Sequence, residues 1–172
     1  MATLYKNLKQ NFLNIVPVFL LYFFSITELD ANFAGYFKII SFNLQLIIIY
    51  YWTLRYPHIL GNVHIFIAGV INDVVMGLPM GASALSYLIV AFVASYIRNI
   101  TVKHTLFTDW ITFLIAIFFS NFVFIFLIYK FTNFNLTYLD LFYNSLFTFL
   151  SYPFLWFIFN LYASITNLKI ND

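Results

Sequence analysis

Charge is the first thing this chain lacks. Only 8% of its 172 residues are Asp, Glu, Lys or Arg, against roughly 25% in a soluble globular domain. With 8 basic and 6 acidic residues it cannot dress a water-exposed surface. Cysteine is absent, which excludes disulfides, thiolate metal sites and a thiol nucleophile. There is no basic run and the net charge is only +2, so nucleic acid is not an expected partner. No Gly-rich phosphate loop, no paired carboxylates and no Ser-His-Asp arrangement can be assembled. His58, His64 and His104 lack metal-site spacing. The sequence therefore predicts neither an enzyme nor a cofactor.

What is present is hydrophobic, 63% of the chain. Apolar runs fall at 11–27, 39–54, 62–76, 82–97, 110–129 and 141–163. A helix crossing a hydrocarbon core of about 30 Å needs roughly 20 residues. Interfacial aromatic and polar neighbours can complete the shorter runs. The reading is an all-α polytopic membrane protein of about six transmembrane helices, forming a single domain over 1–172.

Lys and Arg set the orientation, because they favour the cytoplasmic side. With the N-terminus inside, Lys6, Lys9, Arg55, Arg98, Lys103 and Lys169 are cytoplasmic, whereas only Lys38 and Lys130 are outside. Both termini are then cytoplasmic. Lys6 and Lys9 ahead of an apolar run resemble a signal peptide. No small-x-small cleavage site follows, so the first helix is expected to stay uncleaved, with 28–38 as a short external loop.

One cluster stands out from the apolar background: Gly69, Asp73, Gly77, Pro79 and Gly81. The first three are spaced by four and share one helix face. Glycines there let another backbone approach closely. Pro79 between Gly77 and Gly81 breaks the chain, so the third and fourth segments should form a hairpin. A carboxylate at membrane depth costs at least about 2.5–3.5 kcal/mol. Asp73 must therefore find donors, a partner or a wet cavity. It either organises a helix interface or caps the Pro79 turn from the membrane edge.

Arg55 and Pro57 mark a secondary, inner-side contact. Arg55 suits a lipid phosphate or a partner's acidic group, or it is an ordinary positive-inside anchor. Asn43, Gln45, Asn121, Asn144 and Asn160 read as interhelical glue. Pro17 and Pro153 should kink their helices or leave carbonyls free for neighbours.

The pattern Gly-x3-Asp-x3-Gly-x-Pro-x-Gly-x2-Ala-Leu over 69–85 resembles the rod shape-determining MreD family. The stretch Tyr51-Trp52-Thr53-Leu54-Arg55-Tyr56-Pro57-His58 is similar to that family's aromatic helix end and Pro-His turn. Ser151-Tyr152-Pro153-Phe154-Leu155-Trp156 sits where the family often has a proline flanked by aromatics. The resemblance covers roughly 45–165. Position 80 is Met, and loop 28–38 is poor in proline for the family. The resemblance implies a non-catalytic scaffold of the bacterial inner membrane, with MreC as its foremost partner. MreB, the polymerase RodA and its penicillin-binding transpeptidase would be direct or indirect partners, and membrane lipid the solvent. The competing expectation is a substrate-binding subunit similar to the six-helix S-components of energy-coupling-factor importers. Such a subunit needs an outward cavity with convergent polar groups.

Overall fold

The computed structural model describes residues 15–27, 43–101, 105–131 and 138–166. Within them lie six helices: α1 (Ile15–Ile26), α2 (Leu44–Arg55), α3 (Asn62–Met76), α4 (Ala82–Ile100), α5 (Leu106–Phe131) and α6 (Tyr138–Ile165). There is no strand among the described residues. The external loop expected over 28–38 lies outside them.

Three helices, α4, α5 and α6, are long and apolar enough to cross a membrane. The other three are shorter. α2 has 12 residues, about 18 Å of rise, and α3 has 15. Within the run at 39–54, α2 begins at Leu44, where Asn43 caps it by accepting from the Leu46 N–H at 3.4 Å. α2 is a buried axis: Gln45 through Leu54 are all shielded, including Tyr50, Tyr51 and Trp52. A helix apolar on every face is buried on every face.

α4 packs against α2, α3 and α5. It can do so because its buried positions are mostly small: Ala82, Ser83, Ala84, Ser86, Ala91 and Ala94. Small side chains let helices approach where no aqueous hydrophobic effect drives them together. The outer surface is the reverse of a soluble protein's. Phe118, Phe122, Phe142 and Phe154 are each more than 60% exposed, a surface that lipid solvates and water does not.

Pro153 shows how one residue shapes the bundle. Inside α6 it removes the N–H that would bond the carbonyl four residues earlier. That carbonyl belongs to Phe149, and the Trp110 indole N–H donates to it at 2.9 Å. The two rings stack with centroids 4.9 Å apart. The proline thereby supplies an acceptor that ties α5 to α6.

Candidate functional site

The hairpin between α3 and α4 is organised by Asp73, which has no exposed surface. α3 ends in a Schellman motif: the Leu78 N–H donates to the Asp73 carbonyl at 2.9 Å and the Gly77 N–H to the Val74 carbonyl at 3.4 Å. Gly77 (φ 64°) and Gly81 (φ 101°) take the left-handed backbone this turn needs. The Asp73 carboxylate then opens α4. One oxygen accepts from the Gly81 N–H at 2.8 Å, the other from the Ser83 N–H at 2.7 Å. These are donors that a helix start leaves without intrahelical partners, and the positive end of α4 favours the negative charge there. Backbone and side chain of one residue thus close one helix and begin the next.

Gly69 sets how closely the two helices meet. A Cβ there would lie 2.7 Å from the Ala84 nitrogen and nearer still to the Ala84 Cα. One turn further on, Asn72 donates to the Ser83 hydroxyl at 3.0 Å. The partly buried Pro79 carbonyl accepts from the Ala82 N–H at 3.1 Å. The structure therefore brings Gly69, Asp73, Gly77, Pro79 and Gly81 into one construction.

Arg55 and Pro57 are elsewhere, at the opposite end of α3, whose 15 residues span about 22 Å. Pro57 occupies the second position of a turn in which the Ile59 N–H donates to the Tyr56 carbonyl at 3.0 Å. Burial pushes the Tyr56 phenol above its ordinary value, and the Arg55 charge pulls it the other way. Arg55 is nearly buried and pairs with fully buried Asp109 at 2.7 Å. Its Nε donates to the same oxygen at 3.2 Å, and so does the Trp156 indole N–H at 3.3 Å. The guanidinium also lies 5.2 Å from the centre of a Trp156 ring. Asp109 sits in the first turn of α5, where the helix dipole favours it. This cluster joins α2, α5 and α6. Beside it, Arg98 donates to the Thr53 carbonyl at 3.0 Å, tying the end of α4 to α2.

Beneath the α3–α4 turn lies a partly polar cavity of about 260 Å³. α3 and α4 contribute Asn72, Ser83 and Ser86. α5 and α6 contribute Ser120, Asn121, Asn144, Ser145 and Thr148, with Asn43 at the start of α2. Among the described residues no charged side chain lines it. It adjoins a larger apolar groove of about 460 Å³ between α5 and α6.

No family model, curated protein or solved structure matches this chain. Its chemistry is therefore read from its own residues. The hairpin carboxylate has both oxygens committed to backbone donors. The second carboxylate is locked to a guanidinium. Among the described residues no three His, Cys, Asp or Glu side chains come together. His64 instead meets the Tyr22 hydroxyl at 2.9 Å, joining α1 to α3.

Arg55, expected to meet a lipid phosphate or a partner's acidic group or to serve as an anchor, pairs instead within the chain, with Asp109. Asp109 stands immediately before the apolar run at 110, and an acid at that border facing an arginine at another was the available signal. The serines and threonines of the cavity carried none, because hydroxyl residues are common in apolar helices and only their convergence is informative. Of the residues read as glue, Asn43 caps α2, Gln45 donates to the Phe24 carbonyl at 2.7 Å, and Asn121 donates to Ser145 at 2.6 Å. Asn144 accepts from the Thr148 hydroxyl at 3.3 Å, within α6. Asn160 is exposed and, among the described residues, makes no interhelical hydrogen bond.

Proposed function

We propose that this chain spans the bacterial inner membrane six times, with both termini cytoplasmic, as a non-catalytic scaffold of the elongation machinery like the MreD family it resembles. The observation that carries this reading is the commitment of Asp73 to two backbone N–H donors. The motif behind the resemblance builds a rigid hairpin, and a carboxylate held in that way is poorly placed to exchange protons with a substrate. Lateral association with MreC, and through it with RodA and its penicillin-binding transpeptidase, would use the exposed apolar helix faces. The Arg55 end would face MreB. Depleting the chain in its own cells is expected to turn rods into spheres while envelope synthesis continues. Unchanged shape after full depletion would overturn the proposal.

The polar cavity favours a second reading, a solute-binding subunit similar to importer S-components. Its neutral amide and hydroxyl lining is the convergent polar set such a subunit requires. On that reading depletion abolishes uptake of an uncharged solute and leaves shape intact.

A further inference from the structure

The cavity and the groove adjoin along a shared wall. Both are lined by Ile117, Asn121, Leu141 and Ser145, and the Asn121–Ser145 hydrogen bond stands at the border between them. On one side of that bond the lining is almost wholly apolar, with Phe118 and Phe122 65% and 63% exposed at the rim. On the other, amides and hydroxyls stand among apolar side chains such as Leu46, Met76 and Phe124. Much of that polar lining has capacity left. Asn72 and Asn121 each use one amide N–H, and among the described residues neither side-chain carbonyl accepts a hydrogen bond. The Ser120 hydroxyl is likewise without a partner there, although its backbone carbonyl accepts from Ser86.

We propose that the two compartments together hold one membrane lipid, its chain in the α5–α6 groove and an uncharged, hydroxyl-bearing headgroup in the cavity. Three features select this occupant. The groove opens sideways through side chains that only hydrocarbon solvates, so a chain can enter from the bilayer. The polar cavity lies at the inner end of that path, as a headgroup attached to the chain requires. And its lining offers donors and acceptors but, among the described residues, no cation, so a phosphate would lose its hydration without gaining a counter-charge. A sugar or glycerol headgroup meets the amide carbonyls of Asn72 and Asn121 and the Ser120 hydroxyl without that penalty. The combined space falls within the roughly 300–1,000 Å³ usual for ligand pockets. The inference rests on the cavity alone and is independent of the scaffold reading.

The test offers the purified full-length chain, in detergent, three probes: monoglucosyl diacylglycerol, phosphatidylglycerol with the same chains, and free glucose. Bound ligand is read by native mass spectrometry. The glycolipid should be retained stoichiometrically and preferred over phosphatidylglycerol by about tenfold or more, a gap of about 1.4 kcal/mol, with glucose not retained. Two variants locate the site. Asn121→Leu removes the polar throat, and Leu146→Trp fills the groove from its exposed rim, where folding is not at stake. Each should lower glycolipid retention by about tenfold while eluting like the parent. Equal retention of the two lipids, retention of glucose alone, or undiminished binding in Leu146→Trp would overturn the proposal.

Discussion

Replacing Asp73 by Asn changes one atom of the hairpin and removes its charge. The carboxylate accepts two short hydrogen bonds, from Gly81 at 2.8 Å and Ser83 at 2.7 Å. Asparagine keeps one acceptor and turns an amide N–H₂ toward the other backbone donor. A hydrogen bond to a charged group contributes about 1.5–3 kcal/mol. Loss of charge at the start of α4 adds about 0.3–1 kcal/mol. The substitution should therefore destabilise the bundle by about 2–4 kcal/mol. Asp73→Ala should cost at least as much, since it strands both donors. Asp73→Glu should not restore the parent, because a side chain with no exposed surface has no room for another methylene. Insertion should persist in all three, since the apolar helices are untouched. Denaturant titration in mixed micelles, followed through the three tryptophans, measures the differences. A loss below about 1 kcal/mol for Asp73→Asn would refute the claim that the carboxylate holds the hairpin together.

Other perturbations have equally definite outcomes. Gly69→Ala should cost about 1–3 kcal/mol by overpacking, and Ala84→Gly should fail to rescue it because the clash is with the Ala84 backbone; the same titration compares the single and double variants. Arg55→Ala or Asp109→Asn alone should cost about 3–5 kcal/mol, whereas Arg55→Met with Asp109→Leu should cost less than either, since no charge is left buried alone. Trp110→Phe should lose about 0.5–1.5 kcal/mol in the parent and almost nothing beside Pro153→Ala, where the α6 backbone reclaims the Phe149 carbonyl; a double-mutant cycle reads that coupling. The chain has no cysteine, so single cysteines at His58 and Met80 can be labelled by impermeant reagent in intact cells. Six spans with both termini cytoplasmic require that Met80 react and His58 not.

Much of this architecture was legible in the residues. The Gly69–Gly81 hairpin could be placed because its elements are backbone-specific: left-handed positions need glycine, and proline ends a helix. The polar role of Asp73 followed from the cost of burying a charge, but its geometry did not, since a carboxylate's donors eight and ten residues later depend on the turn connecting them. α2 was harder to foresee. Its apolar run reads like a span, yet a 12-residue helix enclosed by neighbours has the same composition as one facing lipid. The Arg55–Asp109 pair was hidden for a related reason: its partners lie 54 positions apart, and packing alone brings their helices together. The cavity was least visible. It is assembled from five helices, each giving a few common side chains that carry no signal separately.

The scaffold proposal is tested most directly by recovering a tagged full-length chain from its native membrane under mild cross-linking and identifying what comes with it. MreC should be recovered, together with RodA and its penicillin-binding transpeptidase, at amounts that fall in the Gly69→Ala and Asp73→Asn variants. Recovery of paired ATPases and a coupling membrane subunit, with no MreC, would contradict it.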